Sequence, residues 1–141
     1  MNDRWGPTPP YLPLGLWWLI AAVCSLTFLA LFVPPMPTTA HRIRIALTPP
    51  ALAAGAVLMG FQQDLDARHL VPMYACMLIG FQLGLVGRGR EMRRVAIDTL
   101  AYEAGEDGAT TRPQLSAGAY VQLACALLPT LAATLWFVAV P

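Results

Sequence analysis

Four long stretches of this chain contain no Asp, Glu, Lys or Arg: Tyr11 to Val33, Ile45 to Gln63, Leu70 to Gly87 and Ala117 to Val140. Each approaches the roughly 20 apolar residues that a helix needs to cross the ~30 Å hydrocarbon core of a bilayer. Inside that core no water is present to satisfy backbone N–H and C=O groups, so an uncharged stretch of this length is expected to be a helix. Only 12% of the residues are charged, about half the roughly 25% of ordinary soluble domains. That leaves too little polar surface to cover a water-soluble globule. The expectation is an all-α integral membrane protein, one polytopic domain over residues 1–141, with four transmembrane helices and a short cytoplasmic amphipathic helix.

The connections sharpen these boundaries. Residues 1–10 form a polar lead with three prolines and are expected to be irregular. Trp17 and Trp18 lie early in the first span, where aromatic rings suit the headgroup layer. Pro34-Pro35-Met36-Pro37 stops that span, because proline lacks the donor a helix requires. Thr38-Thr39-Ala40 loosely resembles a signal-peptide cleavage site, but the preceding apolar run is too long and its basic lead too weak. In the second span Pro49 and Pro50 fall in the first turn, where proline is tolerated. Its Ala51, Ala53, Ala54, Gly55 and Ala56 make it slim and predict a place inside the bundle. Asp64 to His69 reads as a tight polar turn, which returns the third span antiparallel to the second. Within the fourth span, Pro129 predicts a kink.

The third span carries Gly80 and Gly84, a GxxxG spacing that lets two helix backbones touch. It runs directly into Arg88-Gly89-Arg90-Glu91-Met92-Arg93-Arg94. From about 91 to 103, Met92, Val95, Ala96, Thr99 and Tyr102 recur at helical spacing, as in an amphipathic helix on a membrane surface. Arginine placement orients the whole. With the amino terminus outside, Arg42, Arg44, Arg88, Arg90, Arg93, Arg94 and Arg112 lie inside, and only Arg4 and Arg68 lie outside. Both termini are therefore expected on the periplasmic or exterior face. All nine basic residues are arginine; with the alanine and proline content, this suggests a bacterial inner membrane protein.

Candidates for chemistry are few. His41 and His69 fall at opposite membrane faces and cannot share one metal or haem. Asp64, Asp66 and His69 meet at one turn, but a turn alone offers too few ligands. The three cysteines show no CxxC spacing and read as small apolar packing residues. Gln62, Gln82 and Gln122 are expected to bond between helices. Glycines and glutamines together make the expected packing set: Gly80, Gly84, Gln62, Gln82 and Gln122. The repeated Gly-Phe-Gln of residues 60–62 and 80–82 falls at different depths in antiparallel spans, so it reads as chance. No cofactor or metal is expected, and no nucleic acid, given a net charge of only +1.

No span core carries an ionisable residue, which disfavours a proton-coupled transporter working alone. The expected function is a non-catalytic accessory subunit of a larger membrane complex, of respiratory, secretion or transport type, rather than an enzyme. Its expected partners are other integral membrane subunits. Arg88, Arg90, Arg93 and Arg94 are expected to contact anionic lipids or a partner. The alternatives are a small homo-oligomeric channel or carrier lined by Gln62, Gln82 or Gln122, and less favoured, a cofactor-binding or enzymatic membrane protein using His41 or His69.

Overall fold

The computed structural model describes residues 13–106, 108 and 111–139. The polar lead, Arg4, Tyr11 and the final two residues lie outside them. The described residues form an all-helical bundle: α1 (Leu14–Phe32), α2 (Thr39–Ala46), α3 (Thr48–Gln63), α4 (Ala67–Leu85), α5 (Gly89–Glu103) and α6 (Ala117–Ala139). Leu14–Phe32, Thr39–Gln63 and Ala117–Trp136 are each long and apolar enough to cross a membrane. Helix α4 meets that test only together with α5, and the pair is bent by 83°. It is also the helix richest in buried residues, including Val71, Met73, Ala75, Leu78, Gly80 and Gly84. A span sheathed by other helices meets little lipid, so it tolerates Arg68, Pro72 and Gln82, which dilute its hydropathy.

Helix α4 packs against α6, α1 and α3. The expectation that the second span lies inside the bundle is therefore wrong. Helix α3 touches α4 through Ala56 and Gly60, and its Val57, Leu58 and Phe61 are exposed. Small residues permit close approach on any face, but they supply no side chains that draw neighbours onto both flanks. The central position falls to α4, whose glycines face α6 and whose larger residues face α1.

Two ends of the bundle differ. At one, Ala21 of α1 packs with Val71 and Ala75 of α4, and Trp17 closes over them. Trp17 thus faces the core, whereas Trp18 is exposed. At the other end, Phe28 and Phe32 form a tilted pair, ring centroids 4.9 Å apart, against Leu78. Ile45, Leu52, Leu85 and Met92 join this cluster. It brings together the end of α1, the α2–α3 junction, the end of α4 and the start of α5.

The segment holding Arg42 and Arg44, expected as a loop, is the helix α2. Thr38 caps it: its Oγ1 accepts the His41 N–H at 3.3 Å and lies 2.8 Å from His41 Nδ1. Helix α2 breaks from α3 only at Leu47, and Pro49 and Pro50 then enter α3 in its first turn. The polar turn after α3 is shorter than expected. Asp64 takes a left-handed conformation (φ 50°) as the C-cap of α3, and α4 begins at Ala67. Asp is among the few residues other than glycine that enter this region readily. Helix α6 runs on through Pro129.

Candidate functional site

The α4–α5 corner is built first by backbone. Gly87 adopts φ +77°, a conformation strained for other residues, and turns the chain through the bend into α5. Arg88 follows it and points inward. Its Nε donates to Gln122 Oε1 at 3.0 Å, and its guanidinium donates to Glu91 Oε2 at 3.0 Å. The guanidinium also lies over Gly118, where an added Cβ would stand 3.3 Å away. Glu91 Oε1 in turn accepts the Ser116 backbone N–H at 2.6 Å. Ser116 Oγ accepts the Ala119 N–H in the first turn of α6. Gln122 completes the knot by donating to the Leu83 and Val86 carbonyls at 3.2 and 3.1 Å. Those carbonyls belong to the last turn of α4 and to its C-cap, where no intrahelical donor remains. Hydrogen bonding from Ser116, with Arg88 adding a smaller part, holds the Glu91 carboxyl below its ordinary pKa.

Arg88 stands apart from the other arginines expected to contact lipid or a partner: it is partly buried and engaged with α5 and α6. The Arg88–Glu91 spacing of three is a legible helix-face pair, whereas the Ser116 and Gln122 partners carry no signal in spacing. Arg90, Arg93 and Arg94 differ. All three are exposed, and among the described residues their single ion pair is a loose one, Arg94 to Asp98 at 3.6 Å with both side chains at least half exposed.

Gly80 and Gly84 face α6. An added Cβ at Gly80 would lie 2.5 Å from Thr130 Oγ1, and one at Gly84 would lie 3.0 Å from the Cα of Leu123. Gln82 donates to the Cys24 carbonyl, tying α4 to α1. Gln62 does none of this: it is exposed near the end of α3, with no hydrogen bond among the described residues. It stands one residue before the helix terminus, on a face turned away from α4, so it has no helix to reach. Asp64 and Asp66 are also exposed, and no ligand group forms with His69 among the described residues.

On each flank of α3 runs a groove that no motif in the sequence announces. Between α1, α3 and α4 lies a cavity of about 400 Å³, walled by Trp18, Ala22, Ser25, Ala53, Val57 and Tyr74. Its polar feature is a hydroxyl pair, Ser25 Oγ to Tyr74 Oη at 2.6 Å, with Ser25 also donating to the Ala21 carbonyl at 2.7 Å. Between α3, α4 and α6 lies a second cavity of about 500 Å³, walled by Gly55, Met59, Met73, Met77, Leu131 and Thr134. Both are almost wholly apolar, so they offer shape and burial rather than acid–base chemistry.

Compared with known proteins, the chain matches no family model, no curated protein and no solved structure.

Proposed function

We propose that this chain is a non-catalytic accessory subunit of a larger bacterial inner-membrane complex, of respiratory, secretion or transport type. The observation that carries this reading is the state of α3. Among the described helices it packs lengthwise on α4 alone, and a concave apolar groove lies on each of its flanks. Lipid chains cover a convex apolar face without difficulty, so exposed leucines alone would mean nothing. Two concave grooves are different: the first is floored by alanines of α1 and α3, and the second by Gly55 and alanines with Met59, Met73 and Met77. Both suit the close approach of a neighbouring helix, which small residues permit and, in the second, flexible methionines fill.

The orientation follows from charge. Arg42, Arg44, Arg88, Arg90, Arg93 and Arg94 sit on elements that converge at one end of the bundle, with Arg112 just before α6, whereas Arg68 opens α4 at the other end. Basic excess marks the cytoplasmic side. That end is proposed to be cytoplasmic, with both termini on the opposite, periplasmic side. The reading as a homo-oligomeric channel loses support, because Gln82 and Gln122 are occupied by bonds within the fold.

Purification from native membranes in mild detergent tests the proposal. Other membrane proteins co-purifying at fixed stoichiometry are expected; a closed oligomer of this chain alone would overturn it.

A further inference from the structure

The arginines of α5 point away from everything the helix packs on. At 100° per residue, Met92, Ala96 and Thr99 cluster on one side of α5, and Met92 enters the Phe28–Phe32–Leu78 core. Arg90, Arg94 and Ile97 fall on the opposite side, with Arg93 beside them. Together with Asp98 these four line a shallow surface concavity. Ile97, one turn beyond Arg93 and Arg94, is 45% exposed, an apolar residue beside guanidinium groups.

Two features indicate that this stripe is not there for the helix itself. Arg90 lies in the first turn of α5, where a cation opposes the helix macrodipole, and Arg93 and Arg94 follow in the second. Their one intrahelical counter-ion among the described residues, Asp98 on Arg94, is distant and solvated, a pair contributing little. The stripe is also misplaced for resting on lipid. A helix that lies on a membrane turns its apolar face to the acyl chains. Here that face is taken by the bundle, and α5 runs nearly perpendicular to α4, so the basic stripe faces outward from the end of the bundle.

Resting on the subunit reading above, we infer that Arg90, Arg93, Arg94 and Ile97 form a docking surface for an acidic protein segment at the cytoplasmic face. The partner chemistry follows from complementarity. Two or three carboxylates on one helical face would meet the guanidiniums in charge-assisted pairs, and one apolar side chain among them would cover Ile97. Arginine suits this role because its planar fork meets carboxylates two bonds at a time.

The test uses the full chain in nanodiscs of phosphatidylcholine. The probe is a fluorescent helical peptide carrying three glutamates on one face around a central leucine. Saturable binding is expected, weakened about tenfold or more by R90Q/R93Q/R94Q and severalfold by I97S, and reduced by added salt. Arg88 is left intact, so the fold is not disturbed. Unchanged binding by the triple variant overturns the inference. So does I97S binding as tightly as the parent, since a purely electrostatic attraction needs no apolar centre. Displacement of the peptide by soluble glycerol phosphate at matched ionic strength, with no such displacement by acetate, would assign the stripe to lipid phosphate and equally overturn it. The subunit reading fails separately, through a homo-oligomer in mild detergent, whatever the peptide does.

Discussion

Replacing Gly84 by alanine tests whether α4 and α6 meet as closely as the structure shows. The added Cβ would stand 2.6 Å from Leu123 Cδ1 and 3.0 Å from Leu123 Cα. The first contact is a side-chain end that can rotate away. The second is backbone, so relief requires α6 to shift. Overpacking of this kind costs about 1–3 kcal/mol. Alanine offsets about 0.5–1 kcal/mol of that through its better helix propensity, which leaves a net loss of about 0–2.5 kcal/mol. Gly55 supplies the control within the same protein: nothing lies within 4 Å of a Cβ added there, so Gly55→Ala should stabilise by about 0.5–1 kcal/mol. Gly60→Ala should fall between, because its near contact, Leu70 Cδ1 at 2.7 Å, is a flexible side-chain end. The assay is unfolding by titrated denaturing detergent, followed by helix content. Gly84→Ala as stable as Gly55→Ala would refute the packing of α4 on α6.

Gln122→Leu removes the donor to the Leu83 and Val86 carbonyls and the acceptor for Arg88, and should lower stability by about 1–3 kcal/mol, read by thermal unfolding in detergent. For Glu91 the folded pKa is depressed, so its contribution is present above the ordinary carboxylate value of about 4.3 and disappears as pH falls through the lower, folded value. Glu91→Gln should flatten that acid limb of a stability-against-pH curve; an unchanged limb would remove the carboxylate from the knot. For orientation, Asp66→Cys should react with an impermeant thiol reagent in intact cells, and Arg93→Cys should react only after lysis, each in a background freed of Cys24, Cys76 and Cys125. The reverse pattern would invert the proposed topology.

Much of the architecture is legible in the sequence because lipid imposes a coarse rule, namely long uncharged helices with arginine at one end. The spans, the prolines opening α3, the corner after Gly87 and the surface helix all follow from local residue types. The rest is decided by competition between elements. Alanine content marks the second span as slim, but α4 takes the centre by setting its glycines against α6 and its larger residues against α1. Arg88 looks identical to Arg90, Arg93 and Arg94 in sequence. It is set apart by Gln122, Glu91 and Ser116, two of which come from beyond the next helix and loop. The Ser25–Tyr74 pair joins residues 49 apart and is equally invisible to spacing. Helix α2 is hidden by its charge and by its length, since eight residues holding two arginines are too few to show the apolar period that reveals a span.

If α3 completes itself against another subunit, site-specific photocrosslinking in native membranes should capture that neighbour. A photoreactive residue at Val57, at the rim of the first groove, or at Met59, on the second, should yield adducts with a different membrane protein of defined mass. The same residue at Leu128, exposed on α6, serves as the lipid-facing comparison. Adducts confined to a second copy of this chain, or groove positions no more reactive toward protein than Leu128, would be incompatible with a foreign subunit docked on α3.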